Sequence, residues 1–397
     1  MLALTLVLFV ISVALVIYHH VGYPLVLRWL TRNDANIEAT PAVSTGLRPS
    51  LHVVIPAYNE AAHIAAKISN LGMQTLADMR VTVACDGCTD DTAEIARRAA
   101  AAPENAHLNI TVIDHAENRG KVTLVNEAVE AVQEEVVVLS DASALLSCDA
   151  LERVADLFAE SENIGVVNGC YELLSAADRQ RAYWNYQNDL KRREGALGAV
   201  IGSHGAFYAF RRAAWAPLPK DTINDDFIQP MRIVARGFQS AYDRNIAAIE
   251  LEADSCEADV GRRVRISAGN LQQVLRLINL LHPRHGLVAW MFLSGKTLRV
   301  MMPFWMGLAW ATSGALMVLG GMTLLGALGA AAFLPQTLIY AGAPFMPQDA
   351  EQGFGKILSR VRYIVVGHAA TAAGVWGYLR GEFNRGWRNG TTEEAAA

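Results

Sequence analysis

The sequence predicts an α/β fold with a mixed, mainly parallel sheet, accompanied by transmembrane helices. Between residues 51 and 150, short β-branched runs alternate with helical segments, which is the pattern of parallel βαβ units. Apolar segments flank this region, and only 18% of the 397 residues are charged, against about 25% in soluble domains. The net charge of −5 gives no reason to expect a nucleic-acid partner.

The first segment of the chain is apolar and carries no charged side chain over its first 17 residues. With the interfacial residues up to Leu30, its length suits a transmembrane helix of about 20 residues. A cleaved signal peptide is the alternative, but no basic region precedes the apolar run and no small-residue cleavage site directly follows it. Arg28 and Arg32 come after the run, so the following region is expected in the cytoplasm. We predict a membrane anchor at 1–30 and a polar linker at 31–50.

The central region reads as strands and helices in alternation. The predicted strands are LHVVI, MRVTVA, LNITVIDH and EVVVL, and the helices between them are AAHIAAKISNLGMQ, TDDTAEIARRAAAA and KVTLVNEAVEAV. Further strand candidates are IGVVNGCYEL and GAFYAFRR. Three polar clusters, PAYNE, CDGCTDD and SDAS, each follow an apolar strand. Because ligand sites of parallel sheets lie at the carboxyl ends of the strands, we expect these clusters to meet at one edge.

Carboxylates mark this edge as a candidate site. Asp86 and Asp141 fall at predicted strand ends, and Asp225 and Asp226 precede a segment with helical spacing. Carboxylates in such positions can bind a divalent ion that in turn holds phosphates. A further carboxylate can take a proton from an attacking hydroxyl.

The second half of the chain is more closely associated with a membrane. Residues 261–302 are basic and amphipathic, which predicts interfacial helices. Residues 303–346 carry no charged side chain over a length that fits two transmembrane helices, and 361–380 fit a last one. A connector at 347–360 and a tail at 381–397 complete the predicted organisation.

A basic cluster opens the interfacial region. Its guanidinium groups could neutralise a diphosphate, because their geometry matches phosphate oxygens, or they could anchor the chain to lipid headgroups. The cluster consists of Arg262, Arg263 and Arg265.

Cys85 and Cys88 form a C-x-x-C pair, which raises the alternatives of redox chemistry or zinc binding. No second C-x-x-C or H-x₃-H accompanies it, and no helix begins directly after the first cysteine. The five scattered cysteines do not resemble a disulfide framework and indicate a reducing compartment. We therefore expect these two thiols to pack rather than react.

Eight segments in order resemble membrane-integrated family 2 glycosyltransferases, the group of cellulose, hyaluronan and poly-N-acetylglucosamine synthases. CDGCTDDT resembles the family's S-D-G-S-T-D-x-T segment, SDAS its D-x-D segment and NDDF its T-E-D segment. The others are VVIPAYNEAAHI, ENRGKVTLVNEAV, GSHGAFYAFRR, RRVRI and FLSGKTLRVMMP. The resemblance covers about Val53 to Pro303 and implies a GT-A-like nucleotide-sugar-binding domain at 51–260.

The resemblance implies an inverting transferase. It would move a sugar from a UDP-sugar to a lipid-linked or growing polysaccharide acceptor, with Mg²⁺ or Mn²⁺, in exopolysaccharide or cell-envelope glycan synthesis. Asp226 would be the general base with Asp225 as its neighbour, and Asp141 would bind the metal. The donor-binding residues would be Ala57, Tyr58, Glu60, Asp86, Lys121, Arg262, Arg263 and Arg265. The resemblance also implies a multi-pass protein of the cell membrane with a cytoplasmic catalytic domain and with export or assembly proteins as partners.

Two departures from the family pattern bear on this expectation. Ser143 stands where a second carboxylate is common, so metal affinity rests mainly on Asp141. Ile266 stands where processive relatives carry a tryptophan that stacks on the acceptor sugar, which weakens the case for polymerisation.

A non-catalytic membrane assembly partner, or a transporter-like protein with a decayed transferase domain, is the alternative function. The apolar segments lack the ionisable residues expected of an ion-coupled path, which counts against a transporter. The predicted topology contains a conflict: four spans place the end of the chain outside, whereas the three arginines of RGEFNRGWR, residues 380–388, favour the cytoplasm.

Overall fold

The computed structural model describes residues 1–33, 47–76, 78–175, 178–251, 259–348, 350 and 352–383. They form two compact units. The sheet unit comprises the described part of Leu30–Ser255 with Leu275–Trp290, and the helical unit comprises Met1–Trp29, the described part of Cys256–Val274, and Met291–Glu382. Most of the predicted linker, most of the predicted tail and Cys256 lie outside the described residues.

The described residues of the sheet unit contain one mixed sheet of eight strands. The strands are β1 (Leu51–Ala57), β2 (Met79–Asp86), β3 (Asn109–His115), β4 (Val136–Leu139), β5 (Ala144–Leu146), β6 (Ile164–Leu173), β7 (Tyr208–Arg211) and β8 (Gln239–Glu250). Their order is β3-β2-β1-β4-β7-β6-β8-β5. β1 to β4 pair in parallel, and so do β6 and β8, whereas β7 is antiparallel to both its neighbours and β5 to β8. The predicted mixed, mainly parallel sheet is confirmed.

Thirteen α-helices occur within the described ranges. They are α1 (Leu2–Ile17), α2 (Tyr23–Leu30), α3 (Ile64–Gly72), α4 (Thr92–Ala100), α5 (Lys121–Ala131), α6 (Ala150–Glu160), α7 (Asp178–Ala196), α8 (Asp225–Val234), α9 (Asp259–Arg276), α10 (Leu287–Met291), α11 (Leu298–Gly320), α12 (Leu324–Gly342) and α13 (Gly353–Leu379). A π-helix joins α1 to α2 at Tyr18–Gly22, and another joins α10 to α11 at Phe292–Thr297.

Apolar side chains cover both faces of the central strands. On β1, Val53 and Ile55 pack with residues of α3, α4 and α6 in one core cluster. Val54, which points to the opposite face, packs with residues of α5 in a second cluster. Burial on both faces explains why these strands read as nearly continuous β-branched runs in the sequence. The sheet is thus a rigid layer between helices, and the polar loops at its carboxyl edge are held by it.

The helical unit contains helices that suit a membrane. Among the described residues, three are long and apolar enough to cross one, at Leu2–Leu30, Leu287–Gly320 and Leu324–Phe345. α13 contains the fourth predicted span but does not belong to this set; it carries Lys356, Arg360 and Arg362 in its first half. The predicted domain boundaries and the interfacial position of α9 stay predictions.

The first of these helices carries His19 and His20, and α13 carries His368, so the predicted spans are not free of ionisable side chains, which corrects the sequence-based expectation. His20 Nε2 and His368 Nε2 are 3.0 Å apart and share a hydrogen bond. His19 Nδ1 lies 2.9 Å from the backbone oxygen of Ser294. The argument against an ion-coupled path that relied on their absence therefore no longer holds.

Candidate active site

The loops after β1 and β2 are joined by hydrogen bonds at the carboxyl edge of the sheet. Thr89 N–H donates to Asn59 Oδ1 over 2.8 Å, and Glu60 N–H donates to Thr92 Oγ1 over 2.7 Å. The structure therefore brings two of the three predicted polar clusters together. Three predicted donor-binding residues lie at the end of β1 and on the loop that follows it, the first of them buried and the others half-buried: Ala57, Tyr58 and Glu60.

Asp86 at the end of β2 is 3% exposed. Its carboxylate accepts hydrogen bonds from the backbone N–H groups of Arg119 and Gly120, over 3.0 and 2.8 Å. The next residue, Gly87, has a φ of 65°, and a Cβ there would lie 2.3 Å from the backbone nitrogen of Asn118, so only glycine fits. Asp86 thus ties β2 to the start of α5, and its predicted contact with the nucleoside stays a prediction.

Asp141 lies in the turn that follows β4. Lys121, the first residue of α5, donates from Nζ to Asp141 Oδ1 over 2.8 Å. The Asp141 N–H donates to Ala206 O, and the Asp141 carbonyl accepts from Ala144 N–H, each over 3.3 Å. The turn is therefore fixed by backbone bonds while the carboxylate faces the lysine.

Asp225 and Asp226 occupy the first turn of α8, where the helix dipole favours negative charge. A Cβ on Gly205 would lie 3.2 Å from Asp141 Oδ2 and 3.7 Å from Asp226 Oδ2. The same point is 3.9 Å from Lys121 Nζ. Residues that are far apart in the sequence thus converge on the space that Gly205 leaves open.

The electrostatics of this cluster suit proton transfer. Burial, followed by the charge of Asp225, raises the pKa of Asp226 to about 6. The ammonium groups of Lys121 and Lys191 act in the opposite direction. Burial alone would lower the pKa of Lys121, but the charges of Asp141 and Asp225 outweigh it and hold that pKa above its ordinary value. A carboxyl group that titrates near neutral pH can serve as a general base.

The loop 202–206, which carries Gly205, is held by a lysine that the sequence analysis missed. Lys191 on α7 donates from Nζ to the backbone oxygen of Gly202. Ser203 N–H donates to the backbone oxygen of Asp226 over 3.1 Å. In the sequence Lys191 lies in the charged run NDLKRREG, which gives no sign that one of its members faces a site.

Lys67 is a second residue that the sequence analysis missed. It is fully buried on α3, and its Nζ donates to Ser140 Oγ over 2.6 Å and to Ala144 O over 2.5 Å. Burial lowers the pKa of Lys67 to about 7, although the charge of Asp141 opposes this. Because Lys67 lies on the apolar stripe of its helix, the sequence did contain a signal of its unusual environment.

Three rings form an aromatic cluster beside this loop: Tyr171 on β6, Trp184 on α7 and His204. The His204 ring stacks on Tyr171 with centroids 3.8 Å apart. Trp184 meets both rings edge-on, at 4.4 Å from Tyr171 and 5.1 Å from His204. Since His204 directly precedes Gly205, the aromatic cluster begins one residue away from the converging carboxylates.

The carboxylates fit a divalent ion that arrives with its substrate. No three His, Cys, Asp or Glu side chains form a metal cluster within the part of the chain that the structure describes. Lys121 is bonded to Asp141 Oδ1, while Oδ2 faces the space at Gly205. Mg²⁺ commonly binds through one or two carboxylates and takes its remaining ligands from water and substrate phosphates. Asp141 suits such an ion better than a permanently bound one.

The predicted arginine cluster belongs to the helical unit. On α9, Arg262 is exposed, and Arg263 and Arg265 are half-buried. The Arg263 guanidinium lies 4.7 Å from the ring centroid of Tyr363. Its predicted contact with a diphosphate, and the alternative contact with lipid headgroups, both stay predictions.

The C-x-x-C pair is built into the fold. Cys85 is fully buried in the core, and Cys88 Sγ lies 3.7 Å from the backbone oxygen of Ala57. Burial raises the pKa of Cys85 to about 12, so it remains a protonated thiol. These contacts agree with the expectation that the two thiols pack.

Comparison with known proteins gives a family match. Residues 49–269 match the family model described as "Glycosyltransferase like family 2". The chain is 22% identical over 249 residues to a poly-beta-1,6-N-acetyl-D-glucosamine synthase of Staphylococcus aureus (strain COL), and 21% identical over 231 residues to the protein of the same name from Staphylococcus epidermidis. These matches cover 61% and 56% of this chain but 59% and 55% of the two relatives, so the chain spans less than two thirds of their length.

Solved structures agree on the fold. A mannosyltransferase from Pyrobaculum calidifontis in complex with GDP-Man and Mn²⁺ superimposes with a TM-score of 0.68 and 23% sequence identity. The superposition covers 94% of this chain and 99% of that one. It confirms the predicted GT-A-like fold.

We predict that Gly205→Ala weakens the joint binding of Mn²⁺ and a nucleoside diphosphate. The new methyl, 3.2 Å from Asp141 Oδ2, would force that carboxylate to move. An off-rotamer side chain costs about 1 kcal/mol, or roughly five-fold in affinity. Titration calorimetry with UDP and with GDP in the presence of Mn²⁺ measures this. The control is Gly307→Ala on α11, where a Cβ meets nothing within 4 Å; equal losses in both variants would contradict the prediction.

Proposed function

The chain belongs to glycosyltransferase-like family 2, and from this membership we propose that it transfers a sugar from a nucleotide-sugar, a UDP-sugar in the first place, to a glycan or lipid-linked acceptor at a membrane. The observation that carries the proposal is the convergence of Asp141, Asp226 and Lys121 on one point at the carboxyl edge of the sheet. The same convergence argues against a decayed transferase domain, because a domain without activity has no need to keep these charges together.

In the proposed reaction, Asp226 removes the proton of the attacking acceptor hydroxyl. Lys121 lies beside the leaving diphosphate and compensates part of its charge. A Mg²⁺ or Mn²⁺ ion held by Asp141 would supply further electrostatic stabilisation of the leaving group. Asp225 raises the pKa of Asp226 and so keeps the base close to neutral pH. Each of these groups acts where charge develops in the transition state, which is where catalysis gains most.

We propose a single displacement with inversion at the sugar. One base and one stabilised leaving group are sufficient for a direct attack. Retaining glycosidases instead need a carboxylate nucleophile next to an acid/base residue. Asp226, with its raised pKa, suits a base better than a nucleophile.

The relatives guide the choice of substrates. The two named synthases make a polymer of N-acetylglucosamine, which supports a growing polysaccharide as acceptor and a role in exopolysaccharide or cell-envelope glycan synthesis. The GDP-Man and Mn²⁺ bound to the solved mannosyltransferase support a nucleotide-sugar donor and a metal-dependent reaction. The base of that donor is guanine, whereas we propose a UDP-sugar in the first place. Export or assembly proteins would act as partners of such a product.

We also propose a multi-pass membrane protein with the sheet unit in the cytoplasm. Arg28 and Arg32 follow the first apolar helix and favour the cytoplasmic side. Three spans, rather than the four predicted from sequence, then return the chain to the cytoplasm after Phe345. This arrangement removes the conflict with the three arginines of RGEFNRGWR.

The aromatic cluster suggests where the acceptor binds. Pyranose rings present apolar C–H faces, and aromatic rings are the side chains that pack best against such surfaces. Trp184 is half-buried and two turns of α7 away from Lys191, which contacts loop 202–206. The Trp184 ring lies 5.1 Å from that of His204, which directly precedes Gly205, so the cluster is close to the point where the carboxylates converge. We propose that the cluster holds the acceptor chain behind its reacting end, in the absence of a tryptophan at Ile266.

A donor screen tests the proposed function. We expect purified protein with Mn²⁺ to release nucleoside diphosphate from one member of a panel that includes UDP-N-acetylglucosamine and GDP-Man. Asp226→Asn should lower kcat by roughly 10²- to 10⁴-fold, the usual contribution of a general base, and leave nucleotide affinity unchanged. Glu94→Gln, at an exposed carboxylate of α4, is the control. Full activity of Asp226→Asn would refute the assignment of the base, and an inert wild-type protein would refute the proposed function.

The pH profile should report the base. Since Asp226 must be ionised to accept a proton, kcat/KM is expected to fall as the pH drops through about 6, the raised pKa of this residue. Asp225→Asn removes a like charge that contributes to the rise, so the acidic limb of the profile should move to lower pH. If the acidic limb of the profile does not move in Asp225→Asn, a group other than Asp226 controls the fall in kcat/KM.

Trp184→Ala should weaken binding of the acceptor without affecting the donor. Loss of a stacked ring costs about 1–3 kcal/mol in comparable nucleic-acid sites, so we expect the acceptor KM to rise by roughly ten-fold or more. Hydrolysis of the donor by water should not change. N-acetylglucosamine oligomers of increasing length are suitable acceptors, and the defect should grow with length. Tyr186→Ala on the same helix, where the side chain is 39% exposed, is the control; an equal effect on donor hydrolysis would contradict the acceptor role.

A further inference from the structure

The Lys67 ammonium lies in the interior of the sheet unit and is fully buried. Its two hydrogen bonds reach uncharged groups, Ser140 Oγ at 2.6 Å and Ala144 O at 2.5 Å. Burying an ammonium group costs several kcal/mol, and an apolar side chain of similar length would fill the same space more favourably. Stability therefore does not explain a lysine at this position.

The two acceptors of Lys67 flank the turn that carries Asp141. Ser140 immediately precedes Asp141, and Ala144 N–H closes the turn onto Asp141 O. Ser140 Oγ donates onward to Ala206 O over 2.8 Å. One ammonium group thus joins both ends of the turn to α3 and, through Ser140, to the loop of Gly205.

We propose that Lys67 is a positioning residue for the metal-binding carboxylate. By holding both ends of the turn, it fixes the direction in which Asp141 presents Oδ2 to a metal-bound diphosphate. This inference rests on the proposed function, because it assumes that Asp141 binds the ion of a nucleotide-sugar. It goes beyond that function, because it assigns the orientation of the metal-binding carboxylate to a residue that touches neither metal nor substrate.

Asn70 offers an internal comparison. It lies one turn further along α3 and is also buried, at 5% exposure. Its amide exchanges two hydrogen bonds with the backbone of Leu146, each of 2.8 Å. It therefore supports the same segment from the same helix, but at β5 rather than at the Asp141 turn. A purely structural role of Lys67 would make the two residues equivalent.

The experiment compares nucleotide affinity with and without metal. The dissociation constants of UDP and GDP are measured on the full-length protein with saturating Mn²⁺ and with EDTA, and their ratio is the metal-dependent gain. Asp141→Asn should abolish the gain. Lys67→Met should reduce it by about ten-fold, the lower end of the effect of removing an outer-shell partner, and leave the affinity in EDTA unchanged. Ser140→Ala, which removes one of the two anchors, should give a smaller loss in the same direction.

Asn70→Ala separates positioning from folding. It should lower the melting temperature, because it leaves the Leu146 backbone without its partner, and retain the metal-dependent gain. The inference is overturned if Lys67→Met retains or increases the gain, as removal of a nearby positive charge alone would do, or if Asn70→Ala loses as much. If Asp141→Asn itself retained the gain, the metal assignment of the proposed function would fail and the inference with it. If only Asp141→Asn loses the metal-dependent gain, the inference about Lys67 is overturned while the metal assignment of the proposed function stands.

Discussion

The candidate site depends on keeping three carboxylates close together beside the ammonium groups of Lys121 and Lys191. Asp141, Asp225 and Asp226 repel one another, and the repulsion is strongest where water is partly excluded. Lys121 offsets it from one side, and the positive end of the α8 dipole stabilises the aspartate pair from the other. The compensation is incomplete, since the pKa of Asp226 remains raised to about 6. In the proposed reaction, that residual imbalance makes Asp226 the base, while Asp141 remains available to a cation.

The antiparallel strand β7 makes this convergence possible. A parallel strand next to β4 would begin at the opposite edge of the sheet, far from Asp141. Because β7 runs the other way, its first residue, Tyr208, pairs with Leu139, the last residue of β4. The residues just before β7, which include Gly205, therefore lie beside the turn after β4. The parallel half of the sheet supplies the loops at Asn59 and Asp86, and the reversal at β7 adds the glycine loop and, through it, contact with α8.

Much of this site could be predicted from the sequence, because it follows from strand direction. Polar clusters at the ends of parallel strands must share an edge, and the loops of Asn59 and Thr89 do so. Lys191 could not be predicted, since nothing in a run of charged residues distinguishes the one that turns inward. The structural role of Asp86 could not be predicted from the sequence either. Its hydrogen-bond partners are backbone N–H groups 33 and 34 residues away, and only the fold brings them near. The fourth predicted span lies in α13, which the structure extends back to Gly353 through a charged first half and which is not among the described helices long and apolar enough to cross a membrane.

The proposed metal site has only one protein carboxylate, which places an unusual demand on its surroundings. Where two carboxylates bind one ion, each limits the positions that the other can take. A small displacement of one carboxylate is then compensated by the other. Ser143 stands in the place of the second carboxylate. The orientation of the Asp141 side chain therefore has to be fixed by residues in the protein interior. The turn bonds and the buried ammonium of Lys67 do this from the interior, at a cost in stability that the apolar residues around it on α3 have to cover. If the proposal holds, a serine at position 143 and a buried lysine at position 67 are two parts of the same arrangement.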